Sequence, residues 1–302
     1  MVSSKRDNWK TNERANMIRT HPCFSEEAHH RFGRIHLPVA PACNIQCRYC
    51  IRKYDCANES RPGITSRVTT PTEAMERVRI LLDRSDRISV IGIAGPGDPL
   101  ANESSFEVLS MIKKEFPDLT LCVSTNGLLL PERLEDLVQA GVRSLTITIN
   151  AMVPEIAEKI YSHVMYRGKR YTGTKAAEQL LCNQWQGLSK AKEAGLIVKV
   201  NSVLIPGVND NDIPIIALYA GKKKADIMNI IPLIPQAELK HIPRPSHEML
   251  KAMREKCGRY LTQMSHCRQC RADAFGTLGE DRDMELEIIN SQIGDEYCEI
   301  VH

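Results

Sequence analysis

Short apolar runs of strand length alternate with longer stretches whose apolar residues recur at helical spacing. The runs fall at about 34–39, 88–93, 119–124, 144–150, 197–204 and 226–231, and helical patterns lie near 104–115, 131–140, 174–195 and 211–221. A further helix opens at Thr70-Pro71-Thr72-Glu73, an N-cap, a proline in the first turn and a capping-box glutamate, with Ala74, Val78, Leu81 and Leu82 as its buried stripe. Six β-α units predict an α/β protein: a partial (βα)6, TIM-like barrel with its parallel sheet buried by outer helices and its site at the C-terminal strand ends. The barrel is expected over residues 34–245, between an N-terminal extension, 1–33, and a C-terminal extension, 246–302. Ser25-Glu26-Glu27 reads as a helix start, an amphipathic helix spans about 246–263, and the last thirty residues read as an acidic, poorly packed tail.

The polar residues in this pattern are placed where a barrel has its mouth. Gly95-Pro96-Gly97-Asp98 follows the second strand, Ser124-Thr125-Asn126-Gly127 the third, Asn150 ends the fourth, and Asn201 and Asn229 lie in the fifth and sixth. Alternation puts Cys122, Ser124 and Asn126 on one face, with Thr146, Thr148 and Asn150 likewise, and His36 opposite Ile35 and Leu37. Turn chemistry explains one or two such residues, not polar groups at nearly every strand end. The set predicts a polar cavity suited to a large polar ligand.

Charge and composition narrow the classes. Across 302 residues the net charge is +3 and 42% of residues are hydrophobic, enough for a sizeable core. No basic block interleaves with aromatics, so no nucleic-acid partner is expected, and no apolar run is long enough to span a membrane. A soluble, cytoplasmic protein is the expectation. In that setting eleven cysteines point to metal rather than disulfides. Eight sit in motif-like surroundings: Cys23, Cys43, Cys47, Cys50, Cys56, Cys122, Cys267 and Cys270. Cys182, Cys257 and Cys298 read as ordinary small apolar residues.

Cys43, Cys47 and Cys50 form a C-x-x-x-C-x-x-C run at the end of the first strand. Three thiolates there can hold one iron–sulfur cluster while leaving one iron open to bind and cleave a ligand. Structural zinc would need a fourth Cys or His close by. Beyond this run, residues 52–63 form a loop dense in charged and ligating groups, and Cys267-Arg268-Gln269-Cys270 is a bidentate metal unit or a redox pair.

The cysteine run, with Tyr49 before its last member, resembles the signature of the radical S-adenosylmethionine (SAM) superfamily. Further motifs resemble the NifB family of radical SAM maturases. These are His21-Pro22-Cys23, Asp55-Cys56-Ala-Asn-Glu-Ser-Arg-Pro-Gly63, Ala94-Gly-Pro-Gly-Asp-Pro99, Ser124-Thr-Asn-Gly127, Asn201-Ser-Val-Leu-Ile-Pro-Gly207 and Cys267-Arg-Gln-Cys270, and together they extend over about 21–275. The resemblance implies a short form lacking the NifX-like domain of many such chains. It implies a SAM-binding [4Fe–4S] cluster on Cys43, Cys47 and Cys50, and two auxiliary [4Fe–4S] clusters fused with a SAM-derived carbide and an extra sulfur into an eight-iron precursor of the nitrogenase cofactor. One SAM would methylate a cluster sulfide and a second would give the 5′-deoxyadenosyl radical that takes hydrogen from that methyl group. Gly95, Gly97, Asp98, Ser124, Asn126, Asn150 and Asn201 are the expected SAM contacts, and Glu59 and Arg61 the expected catalytic pair.

Five cysteines remain for two auxiliary clusters, so a histidine completes the count. His36 is the candidate, with His21 its competitor. Cys23, His36 and Cys122 are expected at one cluster and Cys56, Cys267 and Cys270 at the other. Cluster donors, a reductant and a carrier or scaffold protein are the implied partners. Two alternatives stay open: another radical SAM enzyme with auxiliary clusters, acting on a peptide or small cofactor, and a non-catalytic iron–sulfur carrier.

Overall fold

The computed structural model describes residues 14–280, 282–283 and 286–288. After a helical stretch over 14–20, α1 (Glu26–Arg31) starts at Ser25, whose hydroxyl accepts from Ala28 N at 3.3 Å. The chain continues through β1 (Gly33–His36), β2 (Ile45–Cys47), α2 (Pro71–Asp83), β3 (Ile88–Ile93), α3 (Glu103–Glu115), β4 (Thr120–Thr125), α4 (Leu130–Gln139) and β5 (Val142–Thr148). It then forms α5 (Pro154–Ile160), β6 (Tyr161–Tyr166), β7 (Lys169–Thr172), α6 (Gly173–Glu193), β8 (Ile197–Leu204), α7 (Asp212–Lys222), β9 (Ile227–Pro232), α8 (His247–Gly258), β10 (Ala274–Thr277) and β11 (Arg282–Asp283). The capping box of α2 is complete, with Thr70 and Glu73 bonded reciprocally.

The main sheet has the order β11-β10-β1-β3-β4-β5-β8-β9, and β1, β3, β4, β5, β8 and β9 run parallel. These six strands are the ones the hydrophobic runs predict, and they form the expected α/β half-barrel. Their outward residues, among them Ile35, Val123, Leu145, Ile147 and Val198, join the helices in one apolar core. Each such side chain, once fully buried, contributes about 2 kcal/mol. The inward residues are polar and in register: His36, Gly92, Cys122 and Ser144 form one layer, Ser124, Thr146 and Lys199 the next, and Thr148, Asn201 and Asn229 a third.

Three features differ from the sequence expectation. A separate sheet, β2-β6-β7, lies beside the cluster loop. The expected acidic tail begins with β10, which is wholly buried and antiparallel to β1; edge pairing to an existing sheet outweighs the weak local signal. The rest of that tail, 289–302, lies outside the described residues. Third, α8 ends at Gly258, and residues 259–273 cross from the β9 edge, where Met228 bonds Thr262 and Met264, to β10 beside β1. This strap spans the side on which the barrel is open. Among the described residues no helix is long and apolar enough to cross a membrane.

Candidate functional site: a thiol-lined barrel interior

The loop carrying Cys43, Cys47 and Cys50 is held from below by the Gly95–Asp98 turn. Gly97 N donates to Ala40 O at 2.5 Å and Asp98 N to Ala42 O at 2.8 Å. The Asp98 carboxylate accepts from Asn126 N at 2.6 Å, Leu100 N at 3.0 Å and the Thr125 hydroxyl at 2.9 Å. Pairing of β2 with β6 places Cys47. The Tyr49 hydroxyl donates to Asn58 Oδ1 at 2.6 Å and accepts from Asn150 Nδ2 at 2.8 Å, fixing the turn just before Cys50. Cys43, Cys47 and Cys50 then line one pocket with Arg52, Ser124 and Asn126.

Burial pushes the Cys43 thiol up to about 11, with Asp98 adding to the shift, and raises Cys47 well above its ordinary value, with Cys50 and Cys43 adding to it. Thiols so placed become thiolates only beside positive charge, which iron supplies and Arg52 supplements. Among the described residues no His, Cys, Asp or Glu group converges tightly enough for a single metal ion. Three sulfurs around a cavity suit a cluster, whose metals are spread over the corners of a cube, better than one zinc.

Deeper in the barrel lies a second set. Cys23, Cys267 and Cys270 pack on one small core cluster with Phe24 and Met264. Burial raises Cys23 to about 12; Lys199 opposes that shift, and Cys270, Cys122 and Cys267 add to it. His266 on the strap faces Pro22 O at 3.0 Å, joining the two chain segments that carry these thiols. Lys199, 6% exposed, stands among them; burial works against its charge, but Cys23, Glu59, Cys267 and Cys122 raise its pKa overall. Cys56, by contrast, is raised by burial first and then by Cys50 and Cys43, so it lies on the radical-cluster side. Cys23 thus has as neighbours both Cys122, of its own expected triad, and Cys267 and Cys270, of the other.

The two histidines separate clearly. His21 Nδ1 accepts from Cys23 N at 3.1 Å and its Nε2 faces the Ser144 hydroxyl at 3.1 Å, so both ring nitrogens are engaged. Burial, then Lys199 and His36, lowers its pKa to about 3, keeping it neutral. His36 Nδ1 faces Arg271 O at 3.0 Å. A carbonyl there puts the ring hydrogen on Nδ1 and makes Nε2 the basic nitrogen, the arrangement typical of a metal-binding imidazole. The ring lies over Gly92, between β1 and the strand bearing Cys122.

Of the expected SAM contacts, Gly97, Asp98, Ser124 and Asn126 line the cavity. Gly95 supports the loop from behind, with the positions of Ala272 and Cys56 next to it. Asn150 is fully buried and its amide serves Tyr49 and Val203 N rather than the cavity. Asn201 and Ser124 both donate to Glu59 Oε1, at 2.6 and 2.5 Å. Glu59 thus reaches inward across the barrel; burial raises its pKa, and Lys199 with these two bonds partly offsets that. Arg61 is exposed and does not line the cavity, so the expected catalytic pair is divided. Sequence reading missed Lys199, Arg52 and Asp55. Lys199 had a signal: it lies two residues before Asn201, on the same inward face.

Residues 37–220 match the model of the radical SAM superfamily. NifB of Klebsiella pneumoniae, described as an FeMo cofactor biosynthesis protein, is 48% identical over 279 residues, covering 90% of this chain and 60% of that protein. NifB of Chlorobaculum tepidum is 47% identical over 272 residues, 89% of this chain and 64% of that protein. The chain spans less than two thirds of the length of either relative. The crystal structure of Streptococcus suis SuiB bound to S-adenosylmethionine shares the fold, with a TM-score of 0.56 at 13% identity over 77% of this chain and 50% of that one. With the cysteine run inside the matched segment and the half-barrel around it, the chain belongs to the radical SAM superfamily.

Proposed function

We propose that this chain is a radical SAM enzyme of nitrogenase-cofactor assembly, which takes two [4Fe–4S] clusters as substrates and joins them through a SAM-derived carbon and an extra sulfur into an eight-iron precursor. The observation that carries the reading is the second thiol set, Cys23, Cys122, Cys267 and Cys270 around Lys199, inside the same barrel as the radical-cluster cysteines. A radical SAM enzyme acting on a peptide or small cofactor could share such thiols, but it would not call for the His21-Pro22-Cys23 and Cys56 loops together. Similarity to NifB proteins over nine tenths of the chain supports the same reading.

When bound at Cys43, Cys47 and Cys50, the [4Fe–4S] cluster and SAM supply a methyl group and a carbon radical strong enough to take hydrogen from it. Gly97, Asp98 and Asn126 orient the loop around that site. Cys56, Cys267 and Cys270 serve one substrate cluster, and Cys23, His36 and Cys122 the other. An imidazole is a more easily displaced ligand than a thiolate, which suits a cluster that must leave as product. Glu59, held by Ser124 and Asn201 with its pKa raised, is placed to accept a proton at its carboxylate as the carbon is stripped of hydrogen. Lys199 offsets the negative charge that two clusters bring into a low-dielectric interior. Donors of the clusters, a reductant and a carrier for the product complete the scheme.

Anaerobic iron counting, spectroscopy and 5′-deoxyadenosine release test this. Alanine at Cys43, Cys47 or Cys50 should abolish SAM cleavage. Cys267→Ala/Cys270→Ala should retain cleavage, lose the iron of one auxiliary cluster and make no eight-iron product. His36→Ala should weaken the second auxiliary signal, whereas His21→Ala should not. An eight-iron product from the double variant would overturn the assignment.

A further inference from the structure

A second opening lies on the flank of the barrel, bounded by β9, α8 and the strap, and leads into a cavity of about 410 Å³. Its ionisable lining is basic: Arg244, His247, Arg254 and Arg268 face it, with no Asp or Glu among the lining residues. In a chain whose charges nearly cancel, at +3 overall, this is a local concentration of one sign. The inner end of the cavity is built rather than merely charged. Asn229 is 1% exposed, and its side-chain oxygen has no hydrogen-bond partner among the described residues. Arg254 Nε and Gln269 Nε2 are buried donors in the same condition, although Arg254 Nη2 is anchored on Ile230 O at 3.0 Å. Two buried donors without acceptors are costly, so with the cations around them the site suits a ligand that brings acceptor atoms and negative charge, while the Asn229 oxygen calls for a donor at the inner end.

Cys267 forms part of the wall. A ligand in this cavity therefore touches the thiol that the preceding reading gives to a substrate cluster, and it does so from outside the barrel. The mouth that holds Cys43, Cys47 and Cys50 is a different cavity with a separate lining.

We propose that this flank cavity is the loading port for an anionic, thiolate-ligated [4Fe–4S] cluster on its way to Cys267. The inference rests on the cluster-fusing reading above and adds a route to it. The transfer is a ligand exchange: a bond forms between Cys267 Sγ and a cluster iron, the bond from that iron to the delivering thiolate breaks, and the Cys267 proton leaves on the departing thiol. No electron changes hands. Arg244 and Arg268 at the exposed rim attract the cluster, while Arg254 and Gln269 offer hydrogen bonds to its sulfurs as it enters.

The test uses the metal-free full chain carrying Cys43→Ala/Cys47→Ala/Cys50→Ala, so that only the other sites load. Anaerobic uptake of a preformed [4Fe–4S] cluster bearing small thiolates is followed by its absorbance at low and high salt. Uptake should slow with added salt, fall about ten-fold in Arg244→Gln/Arg268→Gln, and fall further with glutamate at both positions. The same variants offered ferrous ion and sulfide, in which iron arrives as a cation, should fill at the unmodified rate and to the same iron content. Equal uptake of the preformed cluster by all variants would overturn the port. Equal slowing from both iron sources would overturn it too, because charge steering would not be the cause. If the triple-alanine chain takes up no iron from either source, the cluster-fusing reading fails first.

Discussion

At Gly97 the backbone passes so close to the cluster loop that an added Cβ would sit 2.1 Å from Ala42 O and 2.8 Å from Ala40 O. Neither backbone atom can yield without breaking the bonds that hold the loop. Gly97→Ala should cost roughly 3 kcal/mol or more, read as a lower unfolding temperature together with loss of the radical cluster's absorbance. The glycine was legible as a strand-end residue, but its task is close approach, which a single sequence does not distinguish from ligand contact. Asn150 was misread for a similar reason: it points inward as alternation requires, yet Tyr49 intercepts its amide. Lys199 shows the opposite error. Alternation with Asn201 put Lys199 on the inward face, but lysine in a strand commonly reaches solvent, so that signal was overlooked until the neighbouring thiols were placed around its ammonium. Lys199→Met should move the midpoint potential of the auxiliary clusters to more negative values and Lys199→Arg should restore it, as followed by redox titration with paramagnetic resonance.

Among elements, the six parallel strands and their helices were legible because both faces are specified: aliphatic residues toward the helices, small polar residues toward the interior. The β6–β7 hairpin was not. Its strands are short and of mixed burial, though the Arg167-Gly168 turn, with φ of 49° and 73°, is the kind of sequence that closes a two-residue hairpin. β10 was illegible for a deeper reason, since its partner β1 lies at the other end of the chain. The strap between β9 and β10 is secured through Asp55, whose carboxylate accepts from Ser66 N at 2.9 Å, Ser66 Oγ at 2.6 Å and Ala272 N at 3.1 Å. Asp55→Ala leaves those donors unsatisfied and should cost about 3 kcal/mol. Hydrogen exchange should localise the loosening to residues near Ala272 and Ser66, with the helices of the barrel unaffected.

For the molecule as a whole, the thiol set ties together segments that are remote in sequence. Filling it should therefore stabilise the fold more than filling a local site. Anaerobic calorimetry should show a rise in unfolding temperature on loading with iron and sulfide, and a smaller rise in Cys23→Ala, which takes the N-terminal segment out of the thiol set. The same remoteness fixes an order of events in the cell. Cys43, Cys47 and Cys50 leave the ribosome within eight residues of one another. The thiol set that takes in Cys23, Cys267 and Cys270 does not exist until synthesis has passed β10 and β10 has docked on β1. A nascent chain can thus present the cysteines of its radical cluster early, but the berth proposed for a metal cargo is incomplete until the container has been closed.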